Sequence, residues 1–183
     1  MLDLSEDHRQ TLLGIARQSI AAILDGRAPE WKDEDFDETL RRPAGAFVTL
    51  RTRDGDLRGC IGSIRASELL YKAIASSAVS AAFRDPRFAP LRPGELELLD
   101  LEISVMGPIE VVTNMEEIVV GRDGLIISRG GHAGLLLPQV ATEYGWDRET
   151  FLDQTCVKAG LPRGAWRSGD CRVEKFSAIV FGE

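Results

Sequence analysis

Hydrophobic positions recur at helical spacing over the first two dozen residues. Leu12, Ile15, Ala16, Ile20, Ile23 and Leu24 fall on one face, Ser5 stands where an N-cap belongs, and Gly26 where the helix ends. The segment Glu30 to Glu38 is acidic, with Trp31 and Phe36 inside it, and reads as a loop or short helical turn. Residues 46–53 and 57–64 read as two strands joined at Asp54-Gly55, a favoured composition for a two-residue hairpin turn. A stripe of Leu70, Ala73, Ile74, Ser77, Ala78 and Ala81 then predicts a helix running to about Ala82, capped by Ser67. Its small side chains suit close packing on a sheet.

Asp85-Pro86-Arg87-Phe88-Ala89-Pro90 predicts a fixed turn. From Leu96 to Met106 the pattern is a long strand, with Leu99, Leu101, Ile103 and Val105 on one face and Asp100, Glu102 and Ser104 on the other. Gly107-Pro108 is expected to stop it. Leu125–Arg129 and Leu135–Leu137 predict a second hairpin around the loop 130–134. Pro138 opens a helix, Asp147 caps another ending near Gly160, and Phe176, Ala178 and Val180 mark a C-terminal strand. No crossover helix of the kind parallel strands need separates successive strands. The predicted class is therefore α+β, a mostly antiparallel sheet flanked by helices. Without a linker or low-complexity stretch, 1–183 reads as a single domain, at most two-lobed, with the smaller lobe built from the middle of the chain.

Charge changes the picture locally. The net charge is −7 over 183 residues, yet residues 41–65 hold 6 arginines against 2 aspartates. An acidic whole disfavours nonspecific nucleic-acid binding, so this segment suits one small anion better than a polyanion track. No apolar run reaches the roughly 20 residues of a membrane span. Met1 to Gln10 does not resemble a signal peptide. Cys60, Cys156 and Cys171 form no CxxC pair, which argues against a disulfide framework and a structural zinc site and for a reducing cytoplasm.

The chemistry concentrates at Leu57-Arg58-Gly59-Cys60-Ile61-Gly62-Ser63. With a two-residue turn, Arg51 faces Arg58, Leu50 faces Gly59 and Thr49 faces Cys60. Val48, Leu50, Leu57 and Ile61 then share the core face, and Arg51, Arg58 and Cys60 the other. Two opposed arginines repel unless an anion sits between them, either internal, with Glu102 the first candidate, or a ligand. That positive field would lower the Cys60 thiol's pKa. A three-residue turn would instead put Arg58 and Cys60 opposite Thr52 and Leu50. Against this stands the ordinary behaviour of free cysteine, a small buried hydrophobe, with Gly59 and Gly62 serving only close packing or a bulge.

His132, in the glycine-rich loop, is a candidate base or ligand, although a lone turn histidine is commonly a surface residue. His8 has no apparent partner. Two distant histidines make no His-rich metal site. Cys156 falls on an apolar helical stripe and reads as core, Cys171 has no companion, and Trp146 and Trp166 read as packing anchors.

The motif resembles the signature of the AMMECR-type domain, named after the AMME syndrome chromosomal region. The resemblance continues in order through Asp85-Pro86-Arg87-Phe88, Glu102-Ile103-Ser104-Val105, Gly124-Leu125-Ile126-Ile127, Gly134-Leu135-Leu136-Leu137-Pro138-Gln139-Val140 and Cys156-Val157-Lys158-Ala159-Gly160-Leu161. A short acidic chain is similar to the prokaryotic branch called AmmeMemoRadiSam system protein A. The resemblance implies an α+β unit of two lobes with a cleft between them. It also implies a functional site on Arg58, Gly59, Cys60, Ile61 and Gly62, and association with a MEMO-like protein and a radical SAM enzyme. It assigns no reaction and no cofactor.

Three readings follow. In the first, an accessory or binding subunit holds a small anionic ligand through Arg51, Arg58, Gly59 and Gly62. In the second, Cys60 is a nucleophile or redox thiol with Glu102 or His132 handling protons. In the third, the arginines of 41–65 bind nucleic acid. No complete acid, base and nucleophile set can be assembled, which favours the first.

Overall fold

The computed structural model describes residues 2–183. Helix α1 (Glu6–Leu24) begins at Ser5, whose hydroxyl accepts the His8 N–H at 3.2 Å while the His8 ring accepts the Ser5 N–H at 3.2 Å. This reciprocal cap explains the helix start. His8 also reaches Asp37 at 2.6 Å, the partner its sequence context does not reveal. Strands β1 (Ala46–Thr52) and β2 (Leu57–Ser63) form the first hairpin, followed by α2 (Leu70–Phe83) and the long β3 (Leu99–Val111). Next come β4 (Asp123–Arg129), β5 (His132–Leu136), α3 (Pro138–Glu143), α4 (Arg148–Lys158) and β6 (Arg172–Gly182). The six strands are hydrogen-bonded in the order β2-β1-β3-β6-β4-β5, and the fold is mixed α+β as the pattern predicts.

Two compact units can be distinguished, one of Gly107–Ala178 and one of Leu2–Met106 with Ile179–Glu183. In the second, α2 packs on β1, β2 and α1. Leu12, Ile20, Val48, Leu50, Ile74, Leu101 and Ile103 are fully or almost fully buried there. In the first, Leu125, Ile127, Phe151, Leu152 and Cys156 form a separate core, as the stripe containing Cys156 predicts. Among the described residues, no helix is long and apolar enough to cross a membrane.

Three expectations are corrected. Helix α2 has no serine cap: its N-cap is Leu69, and the Leu70 and Tyr71 N–H groups go to the Arg42 and Leu40 carbonyls at 3.0 and 3.2 Å. Backbone acceptors replace the side chain at that end. Gly107-Pro108 does not stop β3, which runs on to Val111. The last β3 residue paired with β1 is Val105, so the missing Pro108 N–H falls where β1 has already ended. His132 lies not in a loop but at the start of β5, opposite Arg129, with only Gly130 and Gly131 between the strands.

Candidate functional site

The first hairpin differs from its predicted register in one informative place. The connection holds three residues, Arg53-Asp54-Gly55. Thr52 N–H donates to the Asp56 carbonyl at 2.9 Å, and Gly55 has φ +89°. Arg51 therefore faces Leu57, but Leu50 faces Gly59 and Thr49 faces Cys60. The register shifts between Leu50 and Arg51, leaving Arg58 as the extra residue of a β-bulge. The predicted Arg51–Arg58 opposition does not occur, and Leu57 does not share the face of Leu50. Neither turn-based register is followed along the whole strand, because the bulge cancels the shift that the longer turn introduces.

Each arginine then has its own partner. Arg51 donates to the Gly55 carbonyl at 3.3 Å. Arg58 donates through Nη2 to Glu95 at 3.3 Å and lies over the Phe88 ring at 6.0 Å. The carboxylate beside Arg58 is thus Glu95, not Glu102. Arg58 is mostly buried, with 17% of its side chain exposed, and its sealed Nη1 meets no acceptor among the described residues.

Gly59 lies against α2, where a Cβ would overlap the Ala81 carbonyl; at Gly62 a Cβ would overlap Phe47 and the Ala46 carbonyl. The two signature glycines are therefore required by close approach. Between them, half-buried Cys60 accepts a hydrogen bond at Sγ from the Thr49 hydroxyl, at 3.2 Å. Thr49 in turn faces Glu102 on β3, so Cys60, Thr49 and Glu102 occupy one row across three strands. Paired residues of antiparallel strands point to the same face.

The backbone of Cys60 faces outward, because β2 is an edge strand. Its N–H donates to Asp85 Oδ2 at 2.9 Å, and its carbonyl accepts from Arg87 Nη2 at 3.3 Å. Asp85 is buried and holds Arg87 twice, at 3.0 and 2.7 Å. It also accepts the Arg87 N–H at 3.1 Å. The Arg87 guanidinium, helped by the N–H groups of Cys60 and Arg87, keeps the Asp85 carboxyl far below the usual carboxylate range, against the opposing effect of burial. The segment read from sequence as a fixed turn thus seals the edge beside the thiol. Asp85, Arg87, Glu95 and Thr49 were not sequence candidates. For Asp85 and Arg87 the signals are their place in the resemblance and an aspartate two residues before an arginine across a proline, consistent with an Asx-type turn; for Thr49 it is the predicted pairing with Cys60, and Glu95 has none.

His132 belongs to the other compact unit. Among the described residues, no group of three or more His, Cys, Asp and Glu side chains could hold a metal ion.

These arrangements can be set beside known proteins. A protein of Methanothermobacter thermautotrophicus is 44% identical over 98% of this chain and 96% of its own length. One from Thermococcus gammatolerans is 42% identical over 100% of this chain and 94% of its own. The crystal structure of protein PH0010 from Pyrococcus horikoshii superposes with a TM-score of 0.91 at 39% identity, covering 98% of this chain and 93% of that one. The family profile described as AMMECR1 matches residues 13–181, and the chain belongs to the AMMECR1 family.

Proposed function

We propose that this protein is a non-catalytic accessory domain of the AmmeMemoRadiSam type, binding a small anion beside Arg58. In this reading it works in the cytoplasm with a MEMO-like protein and a radical SAM enzyme. The observation that carries the anion-binding part is the under-used guanidinium. A guanidinium has five N–H donors, yet among the described residues Arg58 makes a single 3.3 Å hydrogen bond, to a carboxylate. That carboxylate, Glu95, also accepts the Arg92 N–H, at 2.6 Å. The surroundings of the thiol support a binding role over a catalytic one. Cys60 Sγ meets a hydroxyl, while the nearby aspartate and arginine are spent on its backbone. The partner assignment rests on the family resemblance alone.

A second reading has one supporting observation, the Thr49 hydroxyl aimed at Sγ, which would stabilise a thiolate nucleophile with Glu102 in the same row. The two readings separate by substitution. With the accessory role, Cys60→Ala keeps co-purification with the MEMO-like and radical SAM proteins and keeps anion binding, whereas Arg58→Ala weakens the anion about tenfold. Full tolerance of Arg58→Ala would sink the first reading. Alkylation of Cys60 at neutral pH no faster than that of free cysteine would remove the second.

A further inference from the structure

A second cavity, of about 190 Å³, opens on the surface between the end of β2, where Ile61 and Gly62 line it, and one face of α2. Its polar lining includes Ser63 at the end of β2, Arg65 and Glu68 from the chain leading into α2, and Ser76, Ser77 and Ser80 from the helix. Helical serines commonly bond back to a carbonyl of the preceding turn. The single O–H of Ser76 has two acceptors within reach, the Ala73 carbonyl and the Glu68 carboxylate, each at 3.2 Å. Ser77 and Ser80 make no side-chain hydrogen bond among the described residues, although Ser77 is only 7% exposed. The Ser77 hydroxyl is not among the polar atoms sealed from water, so it opens on the cavity and is free to meet a ligand there. Arg65 meets no carboxylate among the described residues, unlike Arg42 and Arg58.

We infer that this cavity binds a compact hydroxylated oxyanion, a phosphate ester or carboxylate of a short polyol, independently of the reading given above for Arg58 and Cys60. Arg65 takes the anionic group. The Ser77 and Ser80 hydroxyls, each donor and acceptor, meet the ligand's hydroxyls, and Glu68 accepts from another. The lining residues include no aromatic ring, so nothing there favours a stacked base. The volume equals that of about six liquid waters, below the roughly 300 Å³ where drug-sized pockets begin, which limits the ligand to a short chain.

Titration calorimetry on the full chain tests this with inorganic phosphate, glycerol 3-phosphate, glycerate and glycerol as probes. Glycerol 3-phosphate or glycerate is expected to bind more tightly than phosphate and glycerol, and whichever of the two wins identifies the anionic group. Binding persists in Arg58→Ala, which removes the other proposed anion site, and in that background Arg65→Gln and, separately, Ser77→Ala and Ser80→Ala each weaken it about tenfold. Absence of heat from every probe overturns the inference, as does equal affinity for phosphate and glycerol 3-phosphate with none for glycerate. Loss in Arg58→Ala with Arg65→Gln unaffected also overturns it, and would place the anion at the other end of β2.

Discussion

Asp85→Ala is expected to lower unfolding stability at pH 7 by about 3 kcal/mol, since it strips a buried carboxylate from a charged partner and from two N–H groups. The wild-type carboxylate takes two guanidinium bonds from Arg87 and the N–H groups of Arg87 and Cys60, so no neighbour can take over all four. Arg87 is half exposed and returns to water, but the Cys60 N–H is left facing a sealed edge. The effect has a pH signature. The native carboxyl titrates well below the unfolded value of about 3.9, so its contribution is complete above that pH and is lost as pH falls through the depressed native value. The gap between wild type and Asp85→Ala in urea titrations therefore narrows below about pH 4. A gap that stays constant down to pH 2 would show that Asp85 acts by packing alone.

Gly59→Ala is expected to cost about 3 kcal/mol, the upper end for overpacking, because the added methyl meets backbone on a helix that has little freedom to yield. The obstacle is the Ala81 carbonyl, and the neighbouring Ala78 and Ala82 are themselves buried. A urea midpoint that falls with an unchanged m-value is the expected readout. A loss below about 1 kcal/mol would mean that α2 slides away from β2 easily, and the signature glycine would need another explanation.

Much of the fold is legible in local signals, because those signals act locally. Ser5, Asp147 and Pro138 mark helix starts through groups within three residues of themselves. The alternation of 99–105 survives in the structure for the same reason, with Leu99, Leu101, Ile103 and Val105 all buried. What escapes the sequence is whatever depends on a one-residue register or on distant contacts. The bulge at Arg58 converts an apparent pair of opposed arginines into two with separate partners, and no periodicity encodes it. The clamp on Cys60 joins residues 25 apart through a backbone N–H, which leaves no mark in composition. The signature strand is legible as a motif, while the Asp85 and Arg87 side chains that hold the Cys60 backbone come from a segment whose composition signals only a turn.

The order of the segments has a further consequence for how the protein is made. The unit containing the signature is discontinuous: 2–106 emerges from the ribosome first, and its remaining piece, 179–183, follows the whole of 107–178. That late piece fastens to the early one, with Glu183 N–H on the Leu101 carbonyl at 3.2 Å and its carboxylate on Arg17. Synthesis of residues 107–183 takes about 4–15 s at ordinary elongation rates, and throughout it Leu101 and its neighbours on β3 present an open strand edge. A nascent chain is therefore most prone to aggregate in that interval, and stalling between the two halves is a hazard that the finished protein no longer faces.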